Sequence, residues 1–460
     1  MRKIVVFLLL LMLLRIPSLF EPYWYGDEGI TLTVGQSLGK GFVLYRDIVD
    51  NKPPLLYLLT WLFPTLTALK AITLFVSALS FVYFVKVSKQ LFGSVPNSGV
   101  LLLFILLVGT PLLEANIVNG EIVMILPTLM SFYYFFQKRY VIAGVLAGLS
   151  TLIKIPSVFD FVGLLIWFVY TSDIRRLKRM GMRLVEVIGG FCIPWGIVSV
   201  LLLIVGGFWP MVQQVFIHNF FYSTTWQLLI DSKLLLLIKW SALILLVGYL
   251  WKHRSPLHKA EHFILLYVAF SLFGATLSNR PYLHYLIQIV PAMCLLLTAI
   301  TVGKSKIKGV AGIILTTVLL FVLVQFIGNP LYGISYLARY YTQFTNSSFF
   351  GQEVAVTHEV VSYLQTYTLP DERVFVWSNN TSIYALSSRM PATRYIAVYH
   401  MLERPDALGE VRATLEKQPP RIIVVTKPVV YEWDWLSENF LMRYNLLRDS
   451  AAYQIYEYES

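Results

Sequence analysis

Apolar segments long enough to cross a membrane recur along most of this chain, and they constrain its fold more than any other feature. A helix needs about 20 apolar residues to span the hydrocarbon core of a bilayer. The segments lie at 4–20, 66–85, 98–113, 122–137, 140–153, 155–171, 184–206, 234–251, 262–278, 283–301 and 309–327. No small-x-small cleavage site follows the first segment, so we interpret it as a retained span rather than a signal peptide. The sequence therefore predicts a polytopic α-helical membrane protein with about 11 transmembrane helices.

Charge is sparse and unevenly distributed. Only 14% of the residues are charged, against about a quarter in soluble domains. The longest basic runs, "DIRRLKRMGMR" (173–183), "WKHRSPLHK" (251–259) and "KSKIK" (304–308), fall on the cytoplasmic side if the N-terminus is cytoplasmic. Because Lys and Arg are enriched in cytoplasmic loops, we predict a cytoplasmic N-terminus, and the odd number of spans then makes the C-terminus extracytoplasmic. We expect a multi-pass protein of the plasma membrane.

The composition changes at about residue 329. Residues 329–460 carry 11 Lys and Arg against 14 Asp and Glu, although the whole chain has a net charge of +11. The basic excess therefore reports membrane topology, and we do not expect nucleic acid as a partner. Strand-like segments lie at 373–378, 421–426 and 453–458, and helical ones at 353–367 and 403–417. We predict a transmembrane catalytic domain at 1–328 and a small α/β extracytoplasmic domain at 329–460.

The first predicted outer loop, residues 21–65, is long and contains two amphipathic segments, 29–42 and 53–63, that we expect to form interfacial helices. Asp27 and Glu28 lie side by side near its start. They are either a solvated pair near a helix N-terminus, where carboxylates are favourable, or they include a general base at the mouth of a membrane cavity. A structured loop of this length is usually functional.

Further polar residues lie at the predicted outer ends of three other segments. They are Asn119 and Glu121 in the second outer loop, Lys154 at the end of a glycine-rich helix, and Arg280, His284 and Tyr285 at the outer end of the tenth segment. Ionisable residues at membrane depth usually pair or face a cavity. Structural roles stay open, because Glu121 could complement a helix dipole and His284 could be a structural hydrogen bonder. Gly144 and Gly148 are spaced for close helix packing.

The order of these motifs resembles the GT-C superfamily. The matching features are the Asp27–Glu28 pair, "GKGFVLYRD" (39–47), "KPPLLYLL" (52–59), Asn119-x-Glu121, Lys154 and Arg280-x3-His284-Tyr285. The branch that the pattern resembles most contains the protein O-mannosyltransferases and the lipid A aminoarabinose transferases. The resemblance covers about the first 300 residues, and it makes the predicted fold GT-C-like. One departure is Gly29, which replaces the alanine of the usual Asp-Glu-Ala and is expected to loosen the local helix.

The resemblance implies an inverting glycosyltransferase that uses a polyprenyl-phosphate sugar on the non-cytoplasmic face. Asp27 then matches the catalytic carboxylate, Glu28 its catalytic neighbour, and Glu121 the acidic site of the second loop. Asp27 would be the base that accepts the proton of the acceptor hydroxyl. The phosphate leaving group needs charge stabilisation rather than a proton. The expected donor phosphate or lipid ligands are Lys52, Lys154, Arg280, His284 and Tyr285. The expected acceptor or sugar ligands are Glu121, Asn119, Tyr25 and Arg46.

No cofactor is expected. Paired carboxylates can bind Mg²⁺ or Mn²⁺, but the resemblance implies a reaction without metal. The two cysteines, Cys192 and Cys294, provide neither a disulfide framework nor metal-ligand spacing. Tyr23, Trp24 and Tyr25 fit either a sugar-covering surface or an interfacial aromatic belt.

Two other functions remain open. A lipid-linked glycan transporter or flippase would distribute charged residues through its spans, whereas here they gather at one face. A glycan polymerase or ligase would more often place its large loop late in the bundle, whereas here the loop comes first. We expect a polyprenyl-phosphate-linked sugar donor, a glycan, lipid or protein acceptor, and surrounding membrane lipids as partners.

Overall fold

The computed structural model describes residues 2–173, 175, 177–220, 232–252, 259–280, 282–302, 330–404 and 406–459. Its contacts divide the chain into two compact units. Unit 1 comprises Met1–Leu19, Lys70–Ser199 and Ile217–Thr342, and unit 2 comprises Phe20–Leu69, Val200–Phe216 and Gln343–Ser460. The predicted domain boundary at 328/329 stays a prediction. The segment predicted to be the first outer loop, however, belongs to the same compact unit as the C-terminal segment.

Eighteen α-helices are present in the described part of the chain. They are α1 Arg2–Arg15, α2 Gly26–Gly39, α3 Pro54–Leu62, α4 Leu66–Phe92, α5 Ser98–Gly109, α6 Gly120–Phe136, α7 Tyr140–Ile153, α8 Ser157–Thr171, α9 Leu177–Ile204, α10 Phe208–Met211, α11 Ser232–Lys252, α12 Lys259–Ala275, α13 Val290–Val302, α14 Pro330–Gln343, α15 Gln352–Tyr367, α16 Ser382–Ser387, α17 Val398–Leu402 and α18 Ala407–Lys417. Short 3₁₀ segments follow α1 (Ile16–Phe20) and precede α13 (Leu283–Ile289).

These helices agree with ten of the eleven predicted apolar segments, and the eleventh, 309–327, lies outside the described residues. Five helical segments are long and apolar enough to cross a membrane by length and composition. They are Arg2–Phe20, Leu66–Phe92, Leu177–Ile204, Ser232–Lys252 and Leu283–Val302. Four more apolar helices, α5 to α8, are shorter. The predicted polytopic helical fold class is confirmed.

Close helix packing in unit 1 depends on the two glycines of α7. A Cβ atom on Gly144 would overlap the carbonyl oxygen of Val187, and one on Gly148 would lie 2.6 Å from the Pro194 ring. Both neighbours belong to α9. Since only glycine leaves room for such contact between helix backbones, the prediction of close packing at these positions is confirmed.

Unit 2 contains a five-stranded mixed sheet. Its strands are β1 Arg373–Trp377, β2 Met390–Pro391, β3 Ile422–Thr426, β4 Tyr444–Asp449 and β5 Tyr453–Tyr458, in the order β2-β1-β3-β5-β4. Strands β1, β2 and β3 are parallel, and β5 pairs antiparallel with both β3 and β4. The three predicted strands and the helix at 353–367 are confirmed. The predicted helix at 403–417 begins only at Ala407.

The core of unit 2 joins chain segments that are distant in sequence. Val49, from the loop between α2 and α3, is fully buried in a cluster with Phe375, Trp377, Val398 and Met401. The backbone N–H of Val49 donates a hydrogen bond to the carbonyl oxygen of Arg394 (2.9 Å). The loop after α2 is therefore part of the C-terminal α/β core rather than an independent appendage.

Candidate functional site

Asp27 lies in the first turn of α2, in unit 2. The helix begins after Tyr25, whose backbone is extended and whose carbonyl oxygen accepts the N–H groups of Glu28 (3.1 Å) and Gly29 (3.2 Å). The Asp27 side chain is 30% exposed, whereas Glu28 is 1% exposed. Of the two predicted catalytic carboxylates, Asp27 is thus the one that solvent can reach.

Lys52 joins Asp27 to a second carboxylate. Its Nζ atom lies 3.4 Å from Asp27 Oδ1 and 3.2 Å from Asp50 Oδ2. The Tyr45 hydroxyl donates to the Lys52 carbonyl oxygen (2.7 Å), and α3 begins two residues later at Pro54. Because proline fixes the backbone before α3, Lys52 is held on both sides. We call Asp27, Asp50, Lys52, Tyr57 and His400 the Asp27 cluster.

Asp50 is the buried centre of the Asp27 cluster, with no exposed surface. Its Oδ1 atom accepts the Asn51 N–H (2.7 Å) and lies 3.2 Å from His400 Nε2. Its Oδ2 atom faces Lys52 and accepts the Tyr57 hydroxyl. Burial alone would raise the pKa of Asp50, but the Lys52 charge and the hydrogen bond from His400 outweigh it and hold that pKa well below its ordinary value.

Asp50 in turn raises the pKa values of Lys52 and Tyr57. Burial would lower the pKa of Lys52, but the charges of Asp27 and Asp50 outweigh it and raise that pKa above its ordinary value. Burial and the Asp50 charge both raise the pKa of Tyr57. At neutral pH the cluster therefore holds a lysine ammonium beside an Asp50 carboxylate, with the Tyr57 phenol protonated.

Gly29 brings the C-terminal part of unit 2 against the start of α2. A Cβ atom at Gly29 would lie 2.7 Å from both the Ser382 backbone nitrogen and the Thr381 hydroxyl oxygen. The same Thr381 hydroxyl donates to the Gly26 carbonyl oxygen (3.3 Å), and Thr33 donates to the Thr381 carbonyl oxygen (3.2 Å). From the sequence we expected Gly29 to loosen the helix. The structure instead explains this glycine by packing, because the absence of a side chain leaves room for residues 381–382.

A second set of candidates forms one contiguous cluster within unit 1. Glu121 Oε1 lies 2.8 Å from Lys154 Nζ, which lies 4.9 Å from the centroid of the Tyr285 ring. The Tyr285 and His284 rings are 4.8 Å apart, and His284 Nδ1 lies 2.6 Å from Glu114 Oε2. We call these five residues the Glu121 cluster. Polar groups from three predicted outer ends thus meet, and Glu121 is the partner that a lysine in an apolar segment needs.

Local backbone geometry supports the Glu121 cluster. Asn119 caps α6, since its Oδ1 atom accepts the Ile122 N–H (3.0 Å). Glu114 adopts a left-handed backbone conformation with φ of 54°, which is uncommon for a residue with a side chain and is enriched at functional sites. A Cβ atom at Gly120 would lie 3.1 Å from Lys154 Cδ, so glycine there lets the lysine stem approach the start of α6.

Other predicted site residues have contacts of a different kind. Arg46 is bound to Asp47 (2.8 Å) and donates to the Val205 carbonyl oxygen (2.9 Å). Arg280 is partly buried in the turn after α12. Trp24 stacks on Phe350 with ring centroids 5.3 Å apart. The proposed ligand roles of Arg46, Arg280, Tyr25 and Asn119 stay predictions.

Three members of the Asp27 cluster, Asp50, Tyr57 and His400, had no role predicted from the sequence. Tyr57 lies within the "KPPLLYLL" motif, but its apolar neighbours gave no sign that its hydroxyl is used. His400 is separated from Asp50 by 350 positions in a stretch without a recognisable motif. Nothing in a single sequence signals that pairing. Asp50 lies between the two motifs of the same loop, at 39–47 and 52–59.

Comparison with solved structures identifies the fold. The crystal structure of ArnT from Cupriavidus metallidurans bound to undecaprenyl phosphate is similar over 98% of this chain and 97% of that one, with a TM-score of 0.60 and 12% identity. The apo structure of the same protein gives a TM-score of 0.58 and 13% identity over the same shares. No family model and no curated protein matches the sequence. This chain therefore shares the fold of that protein, which confirms the GT-C-like fold that the motif order predicts.

Within the part of the chain that the structure describes, no group of three or more His, Cys, Asp or Glu side chains is arranged to hold a metal ion. The Asp27 cluster instead places a lysine ammonium between its two carboxylates. The expectation of a reaction without metal or cofactor stays a prediction.

Proposed function

We propose that this chain is an inverting glycosyltransferase that moves a sugar from a polyprenyl-phosphate donor to an acceptor hydroxyl on the non-cytoplasmic face of the plasma membrane. The observation that carries the proposal is the Asp27–Lys52 pair, with Oδ1 and Nζ 3.4 Å apart. It places a carboxylate base beside a cation that suits a phosphate. The fold shared with ArnT, whose structure contains undecaprenyl phosphate, supports the same donor class.

The reaction is a single displacement at the anomeric carbon. The acceptor oxygen forms the new glycosidic bond while the bond between that carbon and the phosphate oxygen breaks. The acceptor proton moves to Asp27, and the polyprenyl phosphate leaves with the bonding electron pair. Because that phosphate already leaves readily as an anion, it needs a cation rather than an acid. Asp27 suits the base role because it is the exposed carboxylate of its cluster.

Lys52 links the proposed base, Asp27, to the donor phosphate. An ammonium has three N–H donors, and two of them are directed at Asp27 and Asp50 in the resting cluster. The third is available for a phosphate oxygen. A donor phosphate that binds Lys52 competes with Asp27 for the same charge, and this leaves the Asp27 carboxylate available to the acceptor hydroxyl.

The Glu121 cluster is proposed to bind substrates as well. Lys154, His284 and Tyr285, with Arg280 nearby in sequence, provide cations and aromatic edges suited to a phosphate or lipid headgroup. Glu121, Asn119, Tyr25 and Arg46 are proposed acceptor or sugar ligands. The acceptor class is a glycan, a lipid or a protein hydroxyl. The N-terminus is proposed to be cytoplasmic and the C-terminal domain extracytoplasmic.

The experiment that tests the proposal is sugar transfer by the purified protein. A panel of radiolabelled polyprenyl-phosphate sugars is offered to the parent, to Asp27→Asn and to Asp371→Asn, which makes the same change at an exposed carboxylate. We expect consumption of at least one donor, a loss of about 10²- to 10⁴-fold with Asp27→Asn, and parental turnover with Asp371→Asn.

Equal thermal stability and equal donor binding of the two variants establish that the loss is chemical. If the parent consumes no donor, or if Asp27→Asn turns over like the parent, the proposal is wrong. A lipid-linked glycan transporter then becomes the leading function, and movement of a labelled lipid-linked glycan across proteoliposomes measures it.

A further inference from the structure

His400 is the member of the Asp27 cluster that comes from the C-terminal part of the chain. It lies on α17, and its Nε2 atom is 3.2 Å from Asp50 Oδ1. His400 is 1% exposed and Asp50 has no exposed surface. A buried imidazole beside a buried carboxylate has a defined geometry, because water does not compete for either group.

The hydrogen bonds at Asp50 occupy both carboxylate oxygens. Oδ1 takes His400 and the Asn51 N–H, and Oδ2 takes Lys52 and the Tyr57 hydroxyl. With donors on both oxygens, the carboxylate plane cannot rotate without breaking a contact to a buried charge. The orientation of Asp50 in turn determines where the Lys52 ammonium lies.

We propose that His400 is a positioning residue for the glycosyl transfer: by holding Asp50, it fixes the Lys52 ammonium where that ammonium meets both Asp27 and the donor phosphate. The inference rests on the proposed function and extends it to the C-terminal domain. Helix α17 then contributes to donor binding indirectly, through Asp50 and Lys52, and none of its side chains is assigned a contact with the substrate.

The two ring nitrogens of His400 have different surroundings. Nε2 donates its proton to Asp50, whereas Nδ1 is buried and accepts no hydrogen bond from any residue that the structure describes. The hydrogen bond to Asp50 therefore requires a proton on Nε2, because an ionised carboxylate only accepts hydrogen bonds.

Several charged or titratable groups face Asp50 besides His400. Lys52 and Tyr57 contact it directly. Its charge also acts on Tyr45, whose pKa is raised by burial and then by Asp50, and on Arg404, whose pKa is lowered mainly by burial. Without the His400 donor, Asp50 Oδ1 keeps only its backbone partner and is drawn toward the remaining cations. The Lys52 ammonium is then no longer fixed against Asp27.

Two polar replacements test this role. Glutamine places its amide N–H near the position of Nε2, whereas asparagine places it near Nδ1. Binding of undecaprenyl phosphate is measured for the full-length parent, His400→Gln, His400→Asn and His358→Asn, in detergent, from acid to neutral pH. His358 is exposed on α15 and serves as the matched control. Lys52→Met measures the contribution of the lysine itself.

We expect His400→Asn to weaken binding by about 10- to 100-fold, since one hydrogen bond to a buried charge is lost. His400→Gln is expected to stay within about threefold of the parent because its donor is restored. The acid limb, which is the pH range where binding is lost as the pH falls, is expected to move to higher pH in His400→Asn. The reason is that the pKa of Asp50 rises when a donor to its carboxylate is removed. A purely structural role would not separate the two amides or move that limb.

The outcomes are separable. If the parent neither binds undecaprenyl phosphate nor consumes any donor, the proposed function fails, and the inference fails with it. If the parent binds and requires Asp27 for transfer, but His400→Asn and His400→Gln bind equally and with the parental pH profile, the positioning role alone is overturned. Unfolding midpoints of both amide variants close to that of His358→Asn support the inference only when the two affinities differ as expected.

Discussion

At the scale of single residues, Gly29 is the position where one added methyl group has the clearest structural consequence. Its Cβ would lie 2.7 Å from the backbone nitrogen of Ser382, which cannot move as a side-chain tip could. We predict that Gly29→Ala lowers the free energy of unfolding by about 1–3 kcal/mol and lowers the proposed sugar transfer, because α2 must shift and carry Asp27 with it.

The control for that prediction is Gly26→Ala, three residues earlier in the same helix, where a Cβ would meet nothing within 4 Å. Thermal unfolding in detergent compares the two variants, and transfer activity is measured beside it. Gly26→Ala is expected to be neutral or slightly stabilising. Equal unfolding midpoints for the two alanine variants would contradict the packing role of Gly29.

The lowered pKa of Asp50 predicts how the free energy of unfolding depends on pH. A carboxylate with a lowered pKa in the folded state contributes stability that is present above its unfolded pKa and lost as pH falls through the folded one. The pKa of Asp50 lies well below its ordinary value of 3.8. Asp50→Asn is therefore expected to lower the free energy of unfolding by about 3–5 kcal/mol at neutral pH, because Lys52 loses a buried partner.

The difference in unfolding midpoint between the parent and Asp50→Asn should be constant at neutral pH and shrink progressively at acid pH. Midpoints measured over an acid-to-neutral series give both quantities. Asp371→Asn, which changes an exposed carboxylate, should show no such convergence. A pH-independent difference for Asp50→Asn would mean that the lowered pKa of Asp50 does not contribute to folding.

The contacts of the Asp27 cluster could be predicted from the sequence only where its residues are close in the chain. The Asp27–Lys52 pair joins two motifs of one loop, and the motif order identified both residues. The contact between Asp50 and His400 joins residues 350 positions apart. A single sequence contains no record of such a contact, because it results from how the sheet and α17 pack against the loop.

At the scale of helices and strands, the contact between α7 and α9 depends on small residues. We predict that Gly144→Ala lowers the free energy of unfolding by at least about 1–3 kcal/mol, since its Cβ would overlap the backbone of Val187. Gly189→Ala is the matched control, because Gly189 lies exposed on α9 and its Cβ would meet nothing within 4 Å.

In the control, alanine should stabilise α9 by about 0.5–1 kcal/mol through its higher helix propensity. Thermal unfolding midpoints in detergent therefore move in opposite directions for the two variants. If Gly144→Ala unfolds at or above the parental midpoint, the close approach of α7 and α9 is not required for stability.

Strands and helices differ in how well the sequence indicated them. Apolar helices were predictable because each satisfies its own backbone hydrogen bonds within a continuous apolar run. Strands β1, β3 and β5 are rich in β-branched or aromatic residues. Strand β2 has two residues, and β4 is an edge strand with one buried residue among six. Neither has a pattern long enough to separate it from a loop.

At the scale of the whole molecule, the composition of unit 2 predicts the result of truncation. Removing residues 344–460 would expose Val49 and the face of α2 that contacts residues 381–382. We predict that protease then cleaves the 20–69 segment much faster than in the full chain, because that segment loses its buried apolar contacts. Cleavage in the loop at 93–97 of unit 1, whose ends Gly93 and Asn97 are exposed, should proceed equally in both proteins.

Limited proteolysis followed by mass spectrometry of the fragments measures both rates in one sample. Equal protection of the 20–69 segment in the truncated and full-length chains would mean that the loop folds independently. That result would favour the domain boundary predicted from composition over the compact unit defined by contacts.

The two-part origin of unit 2 also has a consequence for biosynthesis. The ribosome makes Val49 and Asp50 some 350 residues before His400, and at about 5–20 residues per second the delay is roughly 20 to 70 seconds. During that time the nascent first loop has neither its sheet nor α17 to pack against. A nascent chain that carries Asp27 and Lys52 thus remains without the His400 contact until its last quarter has been translated. Translation of the final segment, rather than of the motifs themselves, then determines when the Asp27 cluster is complete.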